Sequence, residues 1–450
     1  MTTEIAVINR LGVALAADSA VTIPGYGGSD KVFDTGDKLF ELSERFPVAL
    51  MVNGSMDFLG VPWEIIAKEF RCTPPKDAAD ISIEQWMERF LEFLSTHPTV
   101  KPDDVRRWQD GLIQEELDDL NEHVRDRIEI IASEDGEQNL HHLLQRLYTE
   151  AMSERIEQLV NLTPLKSLDG LTEDDILPTV RSLVGEIGGD LMPFDANEGQ
   201  LEIFCRLIAQ RLLKALDRFT VTGLVICGFG GKDLFPSLCA VEIDGHVVQR
   251  LRYQQSHNVK IERGEKEKGT GTAISFAQTD VIDRLLKGTD SRFIDGARDF
   301  IKENVSGSLE QNFAKLKLRI VRSDGGEIPA SDMGGLLGDL IASQFESKFV
   351  AKLRQEFERK FNETIALMPK QDLIELAEAL VSITAIERKA SDDAGTVGGP
   401  IDVALITRSE GFVWIKRKHY FSADLNPRYM WRRFSKMLGK EIDDGQTKDS

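Results

Sequence analysis

Thr2 is the residue of this chain best placed to do covalent chemistry, because it stands directly after the initiator methionine. A threonine is small enough for Met1 to be removed by ordinary cytoplasmic processing, which leaves a hydroxyl and a free α-amine on one residue. That amine has a reference pKa of about 7.7 to 8.0, so a useful neutral fraction exists near pH 7 and can accept the proton of the same residue's hydroxyl. Many chains begin Met-Thr, so the pair alone specifies nothing. Its company says more. Asp18 follows the apolar run ending Ala16-Ala17, where a carboxylate is costly to bury unless paired. Lys38, preceded by Asp37, opens another apolar run, and Asn53-Gly54-Ser55 closes the one after it. At such a strand-to-helix turn backbone N–H groups can cradle a developing oxyanion. A nucleophile, a carboxylate, a cation and an amide donor are all present.

The elements that must position them start as strands. Ile5-Ala6-Val7-Ile8 and Val13-Ala14-Leu15-Ala16-Ala17 are apolar runs joined by Asn9-Arg10-Leu11-Gly12, a hairpin with strands buried on both faces. Leu39 to Leu42 and Pro47 to Val52 make a second pair, and the apolar spacing from Met56 to Arg71 predicts a helix directly after it. From about Ile83 to Phe219 the pattern is of long charged helices, with Trp86, Phe90, Phe93 and Leu94 as one stripe and Leu143, Leu144 and Leu147 as another. Strands return at Val221 to Cys227, Ser237 to Ile243 and His246 to Tyr253, with Asp244-Gly245 read as a hairpin turn. A second charged helical region spans about Val281 to Met368. A helix from Gln371 to Arg388, a glycine-containing loop, and strands Ile401 to Thr407 and Gly411 to Lys416 close the fold.

Composition narrows the class. With 41% hydrophobic and 29% charged residues the chain is apolar enough to bury a core. The formal charge of −20 repels nucleic-acid phosphates and anionic membranes. The basic cluster Lys416, Arg417, Lys418, Arg428, Arg432 and Arg433 reads first as a solvated helix-terminal face and second as a dock for an acidic partner. No apolar stretch approaches the roughly 20 residues of a membrane helix, and the N-terminus lacks a signal-peptide layout, so a cytoplasmic location is expected. Cys72, Cys205, Cys227 and Cys239 lack CxxC spacing and read as buried, reduced thiols. His141-His142 reads as a solvated pair and not a metal site. Gly228-Phe229-Gly230-Gly231 and Gly269-Thr270-Gly271-Thr272 read as flexible turns and not nucleotide loops.

Thr2-Thr3 before two apolar strands, Asp18-Ser19-Ala20 sixteen positions after Thr2, Lys38-Leu39-Phe40-Glu41-Leu42, and a glycine at the next strand end together resemble the proteasome β subunit and its simpler bacterial relatives, among the N-terminal nucleophile (Ntn) hydrolases. The segments Thr222 to Gly231 and Pro236 to Gly245 are similar to that family's central hairpin, and Val397-Gly398-Gly399 with the Asp402 to Trp414 hairpin to its closing segment. About half the chain is covered. The resemblance implies an α+β fold, the four-layer α-β-β-α sandwich, carrying two helical insertions. Its core would comprise residues 1–72, 219–280 and 370–435, the insertions 73–218 (ending in a core helix) and 281–369, with a flexible tail at 436–450.

It further implies Thr2 as nucleophile, Asp18 as the carboxylate orienting Lys38, Lys38 as the lysine tuning the site, and Gly54 as oxyanion donor. Ser19, Gln278 and Asp393 would support them, although the family's Gly-Ser-Gly is absent near Gln278 and Thr279, and Val397 replaces its late serine. Lys31 competes with Lys38, and the strand-entering pattern favours Lys38. The implied activity is peptide-bond hydrolysis of a peptide or protein substrate without cofactor or metal, by a homo-oligomer that admits a regulatory or unfoldase partner. A non-catalytic scaffold that kept the fold, and an amidase acting on a small-molecule amide, are the alternatives.

Overall fold

β1 (Thr3–Asn9) and β2 (Gly12–Ala17) form a hairpin around Arg10-Leu11, and both are buried along their whole length. A strand buried on both faces needs an apolar partner on each side. The parity of β1 names the two partners: Ala6 and Ile8 join one core cluster, Ile5 and Val7 another. The computed structural model describes residues 3–23, 31–98, 100–132, 140–187, 192–262, 270–277, 280–321, 327–390, 398–419 and 421–437.

A ribbon of β3 (Val21–Ile23) and β4 (Lys31–Phe33) precedes β5 (Leu39–Glu41) and β6 (Val48–Gly54). The helix expected directly after β6 starts late. Asp57–Phe58 (β7) and Val61–Pro62 (β8) first make a small hairpin, and α1 runs only over Trp63–Cys72. Leu59 and Gly60 take φ of 50° and 82°, a left-handed turn no α-helix contains, and Pro62 stays extended at ψ 134°. α2 (Ile83–Thr96) then opens on a reciprocal capping box of Ser82 and Gln85. α3 (Pro102–Ala132), α4 (Leu140–Val160), α5 (Glu173–Ile187) and α6 (Glu198–Lys214) share a core that includes Leu112, Leu120, Met152, Leu183 and Phe204.

β9 (Thr222–Gly228), β10 (Ser237–Val247) and β11 (Arg250–Lys260) form an antiparallel meander. Its last turn corrects the sequence reading: Asp244 and Gly245 lie inside β10 at a bulge, and the chain reverses at Val248 and Gln249, with φ of 45° and 59°. Tertiary contacts override the turn-like dipeptide. Asp244 is buried against Arg252, with Oδ2 to guanidinium 3.1 Å, and a Cβ at Gly245 would come within 2.4 Å of the Trp108 ring. β12 (Gly271–Ala277) is likewise a full strand along β1 where a flexible turn was expected at Gly271-Thr272; Gly269 of that motif lies outside the described residues. The glycine there serves close packing, since a Cβ would come within 2.5 Å of the Ala366 nitrogen.

α7 (Asp280–Lys287), α8 (Ser291–Leu316), the pair β13 (Ile320–Val321) and β14 (Glu327–Ile328), α9 (Ala330–Gln344), a π-helical turn at Phe345–Val350 and α10 (Ala351–Leu367) follow. The chain then forms α11 (Lys370–Ala390), β15 (Asp402–Thr407), β16 (Gly411–Lys416) and α12 (Pro427–Met437).

Two five-stranded antiparallel sheets result, in the orders β12-β1-β2-β15-β16 and β11-β10-β9-β6-β5. Ala6 and Leu15 of the first share a cluster with Ala49, Met51, Val225 and Leu238 of the second. On the other face of the second sheet, Leu50 and Ile226 pack with Trp63 and Phe70 of α1 and Trp86 and Phe90 of α2. On the other face of the first, Ile5, Val7 and Ala14 pack with Leu373, Ala377 and Leu380 of α11, Ile282 of α7 and Ile365 of α10. Each fully buried Leu, Ile or Phe contributes about 1.5–3 kcal/mol. The chain is thus a mixed α+β protein built on antiparallel sheets. Among the described residues, no helix is long and apolar enough to cross a membrane.

Candidate active site

Lys38 enters β5 from the second sheet, and Asp18 follows the end of β2 in the first. Their side chains meet. Lys38 Nζ donates to Asp18 Oδ1 at 2.6 Å, and both side chains have 0% exposure. Asp18 accepts two further hydrogen bonds from backbone: Thr3 N–H on Oδ1 and Gly398 N–H on Oδ2, each at 3.1 Å. The aspartate therefore ties the start of β1, the end of β2 and the segment before β15 to one lysine. Ionised acceptors strengthen such bonds, and low dielectric strengthens them again.

A third charge completes the cluster. Glu4 Oε1 lies 3.1 Å from Lys38 Nζ, and the Glu4 side chain is also 0% exposed. Alternation along β1 puts Glu4 on the parity of Ala6 and Ile8, which pack toward the second sheet. Sequence reasoning passed over this residue by reading β1 from Ile5 onward. The signal was present: a carboxylate at the head of a strand that is otherwise apolar must find a partner.

Ser19 anchors the neighbouring loop. Its Oγ donates to the Pro400 carbonyl at 2.6 Å, and its N–H donates to the Gly398 carbonyl at 3.3 Å. Behind it, Lys418 pairs with Asp402 and, at 3.1 Å, with Asp37, so that lysine is committed. Lys416 pairs with Glu378, and Arg417 lies over the Trp414 ring at 4.7 Å. Three members of the basic cluster are thus held at the closing hairpin. Lys31 is exposed on β4.

Gly54 ends β6 with φ +79°, opposite Thr222 of β9. Only glycine fits there, since a Cβ would stand 2.5 Å from the Val221 carbonyl oxygen. Before it, Asn53 is nine-tenths buried across from Gly223, and its Nδ2 has no hydrogen-bond partner among the described residues. The Thr3 hydroxyl is in the same condition. Thr2, Gln278 and Asp393 lie outside the described residues, as do Thr279 and Val397.

Three of the four thiols are buried. Burial pushes the Cys227 thiol far up, the Cys239 thiol to about 11, and the Cys205 thiol up as well. Cys72 is exposed, contrary to the expectation of four buried thiols, because it ends α1 at the surface. Two open clefts of about 460 and 430 Å³, one along α8 and one beside Lys214 to Arg218, contain none of the residues of the Lys38 cluster.

No protein-family model matches the chain, and no curated protein matches it. Among solved structures it is similar to Anbu (ancestral beta-subunit) from Yersinia bercovieri at 10% identity, over 99% of this chain and 100% of that one, with a TM-score of 0.25. A likeness of that size carries no argument about chemistry, which has to come from the side chains themselves.

Proposed function

We propose that the chain is an Ntn hydrolase of the proteasome-like kind, cutting peptide bonds with Thr2 after removal of Met1. The observation that carries this reading is the buried Lys38–Asp18 ion pair, fastened to the Thr3 N–H. A fully buried lysine is expensive to keep and here serves no surface network. Through Asp18 it is tied to Thr3, where the chain enters β1, one peptide bond downstream of a threonine that removal of Met1 would expose.

The two sheets, sharing a cluster on one side and covered by helices on the other, support the four-layer α-β-β-α arrangement. In the mechanism, Thr2 Oγ attacks the carbonyl carbon while the Thr2 amine takes the hydroxyl proton. Collapse of the tetrahedral adduct breaks the C–N bond, and the proton passes to the leaving amine. Water then hydrolyses the threonyl ester and returns the proton. Lys38, oriented by Asp18, supplies positive charge to the site, Gly54 N–H stabilises the oxyanion, Ser19 anchors the neighbouring loop, and Gln278 and Asp393 are assigned supporting roles from the family resemblance alone. We assign the chain to a cytoplasmic homo-oligomer; exposed apolar residues on α8 and α9, such as Phe300 and Leu336, support self-association.

Intact mass of the native protein, with and without a threonine-directed electrophile, tests the reading. We expect loss of Met1 and one adduct, abolished by Thr2→Ala. A retained or acetylated N-terminus, or an adduct on another residue, would overturn it. Light scattering that gives a monomer would remove the homo-oligomer.

A further inference from the structure

Small residues close the hairpin of α8 and α9. Gly334, Gly338 and Ala342 of α9 are buried at a spacing of four, and a Cβ on the two glycines would come within 2.8 Å of Ser306 and 2.9 Å of Lys302 on α8. The bulky side chains are left outside. No residue of α8 or α9 belongs to any of the four hydrophobic core clusters of the described residues, and Phe300 and Leu336 are 64% and 66% exposed. A seam of small residues brings two helices close but buries little apolar area, so a hairpin built this way gains most of its burial from a further surface.

The cleft on α8 has the relief that receives another helix. Its volume is about 460 Å³, and its lining forms two rows at a spacing of four, one from Phe300 through Asn304 and Ser308 to Asn312, the other from Ile301 to Phe313. Rows of this spacing are ridges with a groove between them. In the commonest packing of two helices such a ridge on one enters such a groove on the other, with the axes crossing at about −50°. The second row is apolar at all four positions and half-buried, and the first is exposed, with short polar side chains after Phe300. The eight lining positions also read the same from both ends: Phe300 matches Phe313, and Val305 matches Ser308, about a point between Ser306 and Gly307. A twofold axis at that point sets Phe300 of one copy against Phe313 of a second.

Charge selects the same occupant. The chain carries a formal −20, so two copies repel over most of their surfaces and approach most easily where charge is balanced. α8 is such a place, with four basic and four acidic side chains. Arg298 and Lys302 are moreover answered inside the hairpin, by Asp295, Asp299 and Asp339. An anionic membrane or an acidic protein therefore finds no excess of cations on this helix. The chain's own tail is a poor filler, since the residues after Met437 include only Leu438 and Ile442 as large apolar side chains. We infer that the cleft face of α8 is a docking surface for a second copy of this chain, the two α8 helices crossing about a twofold axis level with Ser306 and Gly307. This names a contact within the homo-oligomer assigned above and rests on that assignment.

Ser308 tests it, because it lines the cleft next to the axis and is exposed. Ser308→Glu and Ser308→Arg each place like charges across the axis, and both residues favour a helix at least as well as serine, so the fold is kept. The full chain is followed by light scattering and sedimentation over a range of concentrations. Each variant should need about tenfold more protein, or more, to reach the native mass, with native circular dichroism and urea midpoint. Mixed one to one, the two variants should regain the native mass at the native concentration, since an acid then faces a base. Phe219→Ser, at a side chain 65% exposed outside the hairpin, should assemble as the native chain does. Ser308 variants that assemble like the native chain overturn the α8 contact and leave the homo-oligomer standing. Variants that dissociate singly and stay dissociated when mixed overturn the twofold contact, because the cleft then meets a different surface of the second copy. A native chain that is monomeric throughout, whether or not it binds vesicles or another protein, overturns both.

Discussion

Val52 donates its backbone N–H to the carbonyl oxygen of Lys38 at 2.9 Å, so β6 fixes the lysine at its backbone while Asp18 and Glu4 hold its ammonium. The bond also consumes the Val52 N–H, leaving an oxyanion donor to be found further along the strand. Gly54 stands two residues on, roughly 7 Å along β6. Its conformation makes it testable. Gly54→Ala meets both a left-handed φ of +79° and the Val221 carbonyl at 2.5 Å, whereas Gly60→Ala at φ +82° meets nothing within 4 Å. Gly60→Ala should cost about 1–2 kcal/mol in urea unfolding, the backbone term alone. Gly54→Ala should cost more and also slow adduct formation. Equal costs would mean that the β6 end relaxes around the methyl.

Lys38→Ala removes the only cation paired with these two buried carboxylates among the described residues, and breaking a buried pair from one side typically costs about 3–5 kcal/mol. A lysine that served the chemistry alone would, when lost, take acylation with it and leave the chain folded. The presence of Glu4 revises that: the variant should be both inactive and markedly less stable. The triple variant Glu4→Gln, Asp18→Asn, Lys38→Met should recover much of the stability and none of the activity. Lys31, exposed on β4, should tolerate alanine in both assays. An inactive, stable Lys31→Ala beside an active Lys38→Ala would move the site to the other lysine.

Gly245 separates a structural requirement from a turn. Trp108 lies against it, donates Nε1–H to Thr220 Oγ1 at 3.1 Å, and stacks under the Arg252 guanidinium at 5.0 Å. Gly245→Ala should cost about 1–3 kcal/mol by overpacking. Combined with Trp108→Ala, the loss should be much less than additive, because the clash then has no partner. Strict additivity in urea midpoints would show that the methyl strains something other than the indole.

What the sequence disclosed depends on which interactions are local. Val13 to Ala17 and Ile401 to Thr407 are apolar runs that leave one choice of element, and Lys38 before Leu39-Phe40 marks a strand entry. The end of β10 was misread because Asp244-Gly245 is a turn dipeptide locally, and only Arg252 and Trp108, distant in sequence, hold it straight. β12 was missed for the same kind of reason: Gly271-Thr272-Ala273 is a poor strand alone and becomes one along the edge of β1. Glu4 was legible as an anomaly, but its partner could be named only once the two sheets were stacked.

The buried charges joining α3, α6 and the β10–β11 hairpin should make stability fall as pH rises through the weakly acidic range. Arg211 pairs with Glu115 at 2.7 Å and with Glu116, and Asp217 N–H donates to Asp244 Oδ2 at 2.7 Å. Burial, helped by a hydrogen bond to Asp217 and opposed by Arg211, pushes the Glu115 carboxyl from an ordinary 4.5 to about 7. Burial, opposed by Arg252, pushes Asp244 from 3.8 to about 6. Burial also pushes Asp217 up, but bonds from Glu115, Thr220 and Phe219 outweigh it and hold it low. Between the unfolded and folded values the folded chain binds more protons, and stability declines with rising pH wherever that holds. The decline from Glu115 starts near its ordinary 4.5 and ends above about 7, and that from Asp244 starts near 3.8 and ends above about 6. Glu115→Gln keeps an N–H donor for Asp217 and carries no titrating proton. Its urea midpoint should gain on the native chain from pH 5 upward, with most of the gain between about pH 5 and 7, the interval between the unfolded and folded values, and little above about pH 7.5. A difference between the two proteins that is constant across that range would mean that Glu115 is ionised throughout and that Asp217 takes its hydrogen bond from elsewhere.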